Sequence, residues 1–339
     1  MRIVLGVVAW ALLAAWPHVV GAGPPEFTTF LSDNAGFTAA EIATVERDSV
    51  VKTVDRDSSD QEIAVIGVVH VDASRDQVVE AFRDIRGWLA SDTFVDADTL
   101  GDPPSVDDVA AVRFMPVDRE AIQGCEVYAC KIKLPERAIE RFRAIDWSSA
   151  GADDQAAQLV RRGLLAYVQS YSREGNRALV EYVDKEEPWR LEAGFEKLLG
   201  QASYTYRHIP ELHRYMKEYP RAELDGAEDF LYWSVLNFGY RPVTSLTHAT
   251  IYRREGASAP EVVLAQKQIY ANHYYAARLE LTAVVDDPAA VDGKGVYLVY
   301  LDRALYDEKL GWAMRRLAVR GTLKHTETWL SALRARLEN

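Results

Sequence analysis

The 339-residue sequence lacks the short motifs that mark several common enzyme classes. It contains no G-x-S-x-G nucleophile elbow, no H-E-x-x-H zinc motif, no phosphate-binding G-x-x-x-x-G-K loop and no dinucleotide-binding G-x-G-x-x-G loop. These absences exclude the motif-bearing hydrolases, zinc proteases, P-loop enzymes and Rossmann dehydrogenases. They favour a binding protein over an enzyme, and we predict neither a cofactor nor a metal ion.

The sequence also contains fewer basic than acidic residues. Lys and Arg number 39 against 51 Asp and Glu, so the formal net charge is −12. A surface this acidic argues against a nucleic-acid partner and against electrostatic docking on anionic lipid. The chain is 48% hydrophobic with 17 Tyr and 8 Trp, which predicts a large globular core.

A long hydrophobic run stands at the N-terminus. Residues 3–16 are apolar without a break, follow Arg2 and end at Pro17. Residues 20–22, Val-Gly-Ala, have small or medium-sized side chains at the positions that a signal peptidase recognises. This pattern predicts a cleavable signal peptide over residues 1–22.

Two other interpretations of this run remain open. A retained transmembrane anchor is disfavoured, because the run is shorter than the ~20 residues that span a bilayer. A buried N-terminal helix is disfavoured, because Gly23-Pro24-Pro25 would join it to the chain through a flexible segment. We therefore predict a periplasmic or secreted protein with no stable membrane anchor, whose mature chain starts near Gly23.

Cysteine is scarce, and its spacing is informative. Cys125 and Cys130 enclose four residues, and in an oxidising compartment two such cysteines usually pair. The spacing is not the C-x-x-C of thiol oxidoreductases, and no second pair could complete a zinc site. We predict a disulfide that locks a tight turn, with two free buried thiols as the alternative.

His208 and His213 flank Glu211 in the sequence. Histidines beside a carboxylate can bind metal, but a spacing of five does not align two ligands on a helix. Pro210 also interrupts the segment. We expect ordinary surface histidines here.

The pattern of apolar residues predicts three segments after the signal peptide: a lead-in over 23–60, a main domain over 61–339, and a helical insertion in that domain around 135–225. Thr38 and Glu41 form a capping box that starts a short helix, and Ser74 can cap another. Strands are predicted at 49–54, 63–71, 109–115, 131–134, 178–183, 230–237, 244–253, 261–285 and 296–305, and later helices at 135–145, 153–170, 189–199, 211–218 and 307–337.

This order of elements resembles the helix-grip fold of the START-like, or SRPBCC, superfamily, which includes lipid-transfer domains, the birch-pollen allergen and polyketide cyclases. The resemblance rests on residues 65–78, a strand running into a helix, and on residues 295–305 running into the last helix. The chain is also similar to exported bacterial proteins with a C-x4-C element ahead of Lys133-Leu134-Pro135. The resemblance implies an α+β fold in which a curved antiparallel sheet wraps around a long C-terminal helix.

The candidate site follows from that resemblance. In residues 267–285 the odd register is apolar apart from His273 and Tyr275, so we expect this register to face inward. The resemblance implies an apolar cavity between the sheet and the C-terminal helix, where these two side chains would orient the polar end of a ligand. The alternative is that both are core residues with hydrogen bonds to the backbone.

Five further residues are candidates for the same cavity. Met314 and Leu317 are expected under the C-terminal helix, facing the sheet. Gly321 would permit close approach of a ligand, unless it is only a flexible point in the helix. Trp233, with its aromatic neighbours Phe230, Tyr232 and Phe238, faces either the cavity or a plain core. Arg303 would pair with an acidic headgroup, unless it lies at an exposed sheet edge.

These expectations favour a monomeric protein that binds a hydrophobic, lipid-like small molecule. An enzyme of cyclase or hydrolase type on the same scaffold, with His273 as general base, is the alternative function. A structural or interaction protein with a filled core is a third. The fold class does not separate them.

Overall fold

The computed structural model describes residues 25–54, 60–201, 207–239, 241–254 and 260–339. The predicted signal peptide lies outside these ranges. The described chain is a mixed α+β structure with one large antiparallel sheet and a long C-terminal helix. Among its described helices, none combines the length and the apolar character needed to cross a membrane.

The sheet is open and has eight strands, ordered β1-β2-β10-β9-β8-β7-β6-β3, with every neighbouring pair antiparallel. A separate two-stranded ribbon pairs β4 with β5. The strands are β1 (Val50–Thr53), β2 (Glu62–Val71), β3 (Phe94–Leu100), β4 (Glu181–Tyr182), β5 (Trp189–Arg190), β6 (Ala227–Asn237), β7 (Pro242–Arg253), β8 (Val262–Ala271), β9 (Tyr275–Val291) and β10 (Lys294–Tyr306).

The described residues form ten α-helices. They are α1 (Pro25–Thr29), α2 (Ala39–Val45), α3 (Arg75–Arg83), α4 (Ile85–Trp88), α5 (Pro116–Gln123), α6 (Glu136–Arg143), α7 (Ala152–Glu174), α8 (Leu191–Gln201), α9 (Pro210–Glu218) and α10 (Trp312–Leu337), and a one-turn π-helix (Phe30–Asn34) follows α1. The predicted capping boxes at Thr38 and Ser74 are both present and start α2 and α3.

One side of the sheet, the α10 face, packs against α3, α4 and the C-terminal half of α10. Its apolar residues include Val69, Val284 and Leu298, which share one cluster with Trp88 and Leu330. Gly67 permits the closest approach, because a Cβ there would lie 2.6 Å from the Cδ1 atom of Leu330. The Trp329 indole N–H also donates to the Trp88 carbonyl oxygen over 2.7 Å.

The other side of the sheet, the opposite face, packs against the N-terminal helices and against the long connection between β3 and β6. That connection contains α5 to α9. Leu281 and Val299 on the sheet share one cluster with Phe27 of α1, Val45 of α2 and Phe195 of α8. Cys125 and Cys130 in the connection form a disulfide with Cα atoms 4.4 Å apart, around a turn closed by a β-bridge, as their spacing predicts.

Three predictions of strands are wrong. The segment predicted as a strand over 109–115 contains the last residue of a 3₁₀-helix followed by turns and irregular structure, and residues 131–134 are also irregular. The long strand predicted over 261–285 is two strands, β8 and β9. They are joined by a turn at 272–274, in which Tyr274 has a left-handed φ of 63°. The turn is hidden in the sequence because Asn272 and His273 are buried like the strand residues beside them.

The expectation that Met314 and Leu317 face the sheet is also wrong. These side chains are 57% and 66% exposed, whereas Leu330 and Leu333 are fully buried. Met314 and Leu330 are 16 residues apart on α10. At 3.6 residues per turn this separation is four full turns plus about 160° around the helix axis. Met314 therefore points away from the side that Leu330 buries. A Cβ at Gly321 would meet no atom within 4 Å, so close approach does not require this glycine.

We predict that Leu330→Ala lowers the free energy of unfolding by about 2–5 kcal/mol, because it removes a fully buried side chain from a packed helix contact. Leu317→Ala, the same exchange on the exposed side of the same helix, should change it by less than about 0.5 kcal/mol. Chemical denaturation of both variants measures the difference. Equal losses at the two sites would contradict this docking of α10.

Candidate functional site

An apolar cavity of about 450 Å³ lies on the opposite face of the sheet, away from α10. Its sheet wall consists of two cross-strand rows. In one row Val299 of β10 pairs with Ala283 of β9, which pairs with Val263 of β8; in the other, Ile66, Leu301 and Leu281 are aligned in the same way. Apart from Ala283, which is half-buried, these residues are buried, so the wall presents a continuous hydrocarbon surface.

The other wall comes from the N-terminal segment and from the residues just before α9. Phe27 of α1 and Phe30 of the π-helix contribute their rings, and Ile209 contributes an aliphatic side chain. The Phe30 ring meets the His208 ring edge-on, with centroids 5.6 Å apart. The cavity therefore lies between the sheet and two short segments that contact each other through the Phe30 and His208 rings.

Polar groups are confined to the edge of this cavity. Glu26, Thr29 and His208 line it and are exposed, and Asn34 is half-buried. A ligand with a hydrocarbon body would lie against the sheet, with its polar end toward these groups. Such an arrangement binds and orients an amphipathic molecule.

The two residues singled out as the core of the predicted site lie elsewhere. His273 is in the β8–β9 turn, where its Nε2 lies 2.8 Å from Oδ1 of Asp118 on α5, and it is 4% exposed. Tyr275 begins β9 and packs against the ring of Tyr306 and the guanidinium of Arg278. The pKa of Tyr275 is raised by burial.

Trp233 and Arg303 are also buried in contacts within the protein. The Trp233 indole N–H donates to the Asp108 carbonyl oxygen over 2.9 Å. The Arg303 Nε donates to a carboxylate oxygen of Glu62 over 2.5 Å, and both residues are almost completely buried. Arg303 is thus not at an exposed edge. None of the seven predicted site residues is among the described residues that line the apolar cavity.

Sequence reasoning did not name the cavity-lining residues as site residues, although Leu281, Ala283 and Val285 belong to the odd register of 267–285 that it predicted to face inward. A further signal was available. In β8 and β9 both registers are apolar over several residues, as in Val262-Val263-Leu264-Ala265 and Val284-Val285. Such runs indicate strands that are buried on both faces. A sheet covered on both faces has room for a cavity on either side.

A second, polar pocket of about 480 Å³ lies farther along the same face. Lys267 of β8 is among its lining residues and is only 2% exposed. Its Nζ donates to Oδ1 of Asn176 over 2.5 Å and to the Met216 carbonyl oxygen over 3.3 Å, and lies 4.6 Å from the centre of the Phe195 ring. Burial lowers the pKa of Lys267 to about 7, against a small opposing effect of Glu192.

A buried hydrogen-bond chain adjoins Lys267. His248 is its cross-strand neighbour on β7, and the His248 ring lies between Tyr171 (2.9 Å) and Asp229 (3.0 Å). Asp229 also accepts hydrogen bonds from Tyr215 and Thr250. Burial raises the pKa of Asp229, but these hydrogen bonds outweigh it and hold the pKa below its usual value.

The structure thus offers two sites of different chemistry on one face of the sheet: an apolar cavity with a polar edge, and a polar pocket that reaches a buried amine. Both are built from side chains that the described part of the chain brings together from distant positions. Comparison with known proteins gives no match: no protein-family model, no curated protein and no solved structure matches this chain.

Proposed function

We propose that this protein binds a hydrophobic, lipid-like small molecule in the apolar cavity on the opposite face of the sheet. The observation that carries the proposal is the cavity itself, whose sheet wall is entirely aliphatic and whose polar groups lie at its edge. Burial of a hydrocarbon body against such a wall contributes roughly 25 cal/mol per Å² of apolar surface.

The size of the cavity narrows the ligand class. About 450 Å³ falls in the lower part of the range of roughly 300–1,000 Å³ that small-molecule pockets occupy. A ligand with one acyl chain or a small ring system fits this volume better than a two-chain phospholipid does. His208 and Thr29 at the edge would donate hydrogen bonds to an acidic or hydroxyl headgroup.

We also propose that the fold of this chain is related to that of the START-like superfamily. The order β2-β10-β9-β8-β7-β6-β3, with α3 and α4 between β2 and β3 and a long helix after β10, supports a helix-grip interpretation. The position of the cavity departs from that interpretation, because it is on the side of the sheet away from α10. β1 and the insertion between β3 and β6 are additions to the pattern.

We also propose that the protein acts outside the cytoplasm. The support is the signal-peptide pattern of residues 1–22 together with the Cys125–Cys130 disulfide, since disulfides persist in oxidising compartments.

We predict that the purified mature chain binds one molecule of a fluorescent fatty acid and that Ala283→Trp weakens this binding at least about tenfold. The indole would occupy cavity volume against the middle of the sheet wall. The matched control, Ala313→Trp, places the same side chain on the exposed first turn of α10 and should leave the affinity unchanged. Fluorescence titration measures the affinity, and native mass spectrometry measures the stoichiometry and tests the predicted monomer.

Two outcomes would refute the proposal. One is the absence of saturable binding by the parent chain. The other is an Ala283→Trp variant that folds, as shown by an unchanged circular dichroism spectrum, and binds as tightly as Ala313→Trp.

A second candidate function is amine chemistry at Lys267, favoured by its lowered pKa and its position in the polar pocket. An amine that is partly neutral near pH 7 can act as a general base or as a nucleophile toward a carbonyl group. The alternative with His273 as general base has less support, because that ring is buried against Asp118.

We predict that the gain in stability from Lys267→Met is fully present below pH 7 and declines as the pH rises from 7 toward 10. The folded pKa of about 7 lies below the unfolded value, so the unfolded chain binds more protons between these limits. The parent protein therefore gains stability with rising pH in this window, by up to about 1.4 kcal/mol per pH unit, and the methionine variant does not.

Urea denaturation at several pH values measures this difference between the two proteins. The matched control is Lys217→Met, at an exposed lysine of the same pocket, which should change stability by less than about 0.5 kcal/mol. If the free energy of unfolding depends on pH in the same way in the parent and in Lys267→Met, then the lysine is not held in its neutral form.

A further inference from the structure

Three residues from distant parts of the chain bring ligand atoms together beside the N-terminal segment. Glu46 follows α2, His70 lies on β2 and Asp287 lies on β9. One side-chain nitrogen or oxygen from each lies within 4.8 Å of the others. The three are half-buried, with 16% of the His70 side chain and 14% of the Asp287 side chain exposed.

The potential metal-ligand atoms of His70 and Asp287 face each other, but no hydrogen bond joins them. The His70 Nε2 is 3.2 Å from Oδ2 of Asp287, yet this buried nitrogen has no hydrogen bond within the described chain. The other oxygen of Asp287, Oδ1, accepts a hydrogen bond from the Ala289 N–H over 2.8 Å. The carboxylate is therefore oriented by the backbone, with one oxygen left for the space beside the imidazole.

Tyr297 of β10 orients the other two ligands. Its hydroxyl donates to Oε1 of Glu46 over 2.6 Å, which leaves Oε2 for another partner. Its ring packs edge-on against the His70 ring at 4.9 Å, and the two residues are cross-strand neighbours. Hydrogen bonds and contacts of this kind hold the ligands of protein metal sites in place.

We propose that Glu46, His70 and Asp287 bind a divalent transition-metal ion of the zinc class. Two carboxylates neutralise the charge of such an ion, and the imidazole nitrogen favours zinc and its neighbours over Ca²⁺ and Mg²⁺, which prefer oxygen ligands. Three protein ligands leave a coordination position for water or a small anion. This proposal departs from the expectation, drawn from the sequence, that the chain binds no metal.

The proposed metal site and the apolar cavity share no residues, but they are adjacent. Phe27, which lines the cavity, packs against the ring of Tyr297 at 5.0 Å. Neither Glu46, His70 nor Asp287 is among the described cavity-lining residues, so a failure of lipid binding would not affect the proposal.

Isothermal titration of untagged, chelator-treated protein with Zn²⁺ tests the site. We expect one saturable equivalent per chain, a rise in melting temperature with Zn²⁺, and no comparable rise with Ca²⁺ or Mg²⁺ at the same concentrations. His70→Leu should weaken Zn²⁺ binding at least about a hundredfold. Asp287→Asn should weaken it at least about tenfold, and it keeps the shape of the side chain, so it is expected to fold.

Two further variants separate ligation from general effects. Tyr297→Phe removes only the hydroxyl that orients Glu46, and should weaken Zn²⁺ binding roughly 10–100-fold. Asp286→Asn removes the same charge from the adjacent, exposed position and should change the affinity less than about twofold. The proposal is overturned if the parent chain binds no Zn²⁺, or if folded Asp287→Asn binds it as tightly as Asp286→Asn.

Discussion

An antiparallel sheet covered on both faces imposes the constraint on which the rest of this structure depends. All ten residues of β8 are buried, and β2 and β10 are buried over most of their length. Polar side chains on such strands have no access to water, so each must find its partner within the protein. The pair formed by Arg303 and Glu62 between β10 and β2 is the clearest result of that constraint. Removal of either partner would leave the other charge buried alone, which is far more costly than losing an exposed ion pair.

The same constraint explains why the two faces differ. On the α10 face, Arg278 donates to both carboxylate oxygens of Asp302 and to Glu280, and Tyr300 donates to Glu280. Burial raises the pKa of Glu280, against the opposing charge of Arg278. This network fills these positions of the α10 face with paired polar and charged side chains. The opposite face carries aliphatic rows at the corresponding strands, and there the structure leaves apolar space.

Several elements could be predicted from the sequence because local chemistry determines them. β2 is rich in β-branched residues, and the capping boxes at Thr38 and Ser74 begin their helices where predicted. The edge strand β3 was missed, because two aspartates in Phe94–Leu100 interrupt its apolar pattern and only β6 pairs with it. The odd register of β9 faces a core and the apolar cavity, as predicted, but its assignment to the α10 side of the sheet was wrong. Alternation identifies a core face only when the other face meets solvent, and here the polar register of Arg278 and Glu280 is buried under α10.

The segment before β2, interpreted from its sequence as a lead-in, contributes to both proposed sites. Phe27 and Phe30 close the apolar cavity, and Glu46 completes the metal site. Each ligand would therefore bind only while this segment is docked on the sheet. If the segment exchanges between docked and undocked arrangements, thermodynamic linkage makes each ligand favour the binding of the other, to the same degree in both directions. Tyr297 is the physical connection, since its hydroxyl holds Glu46 and its ring supports Phe27.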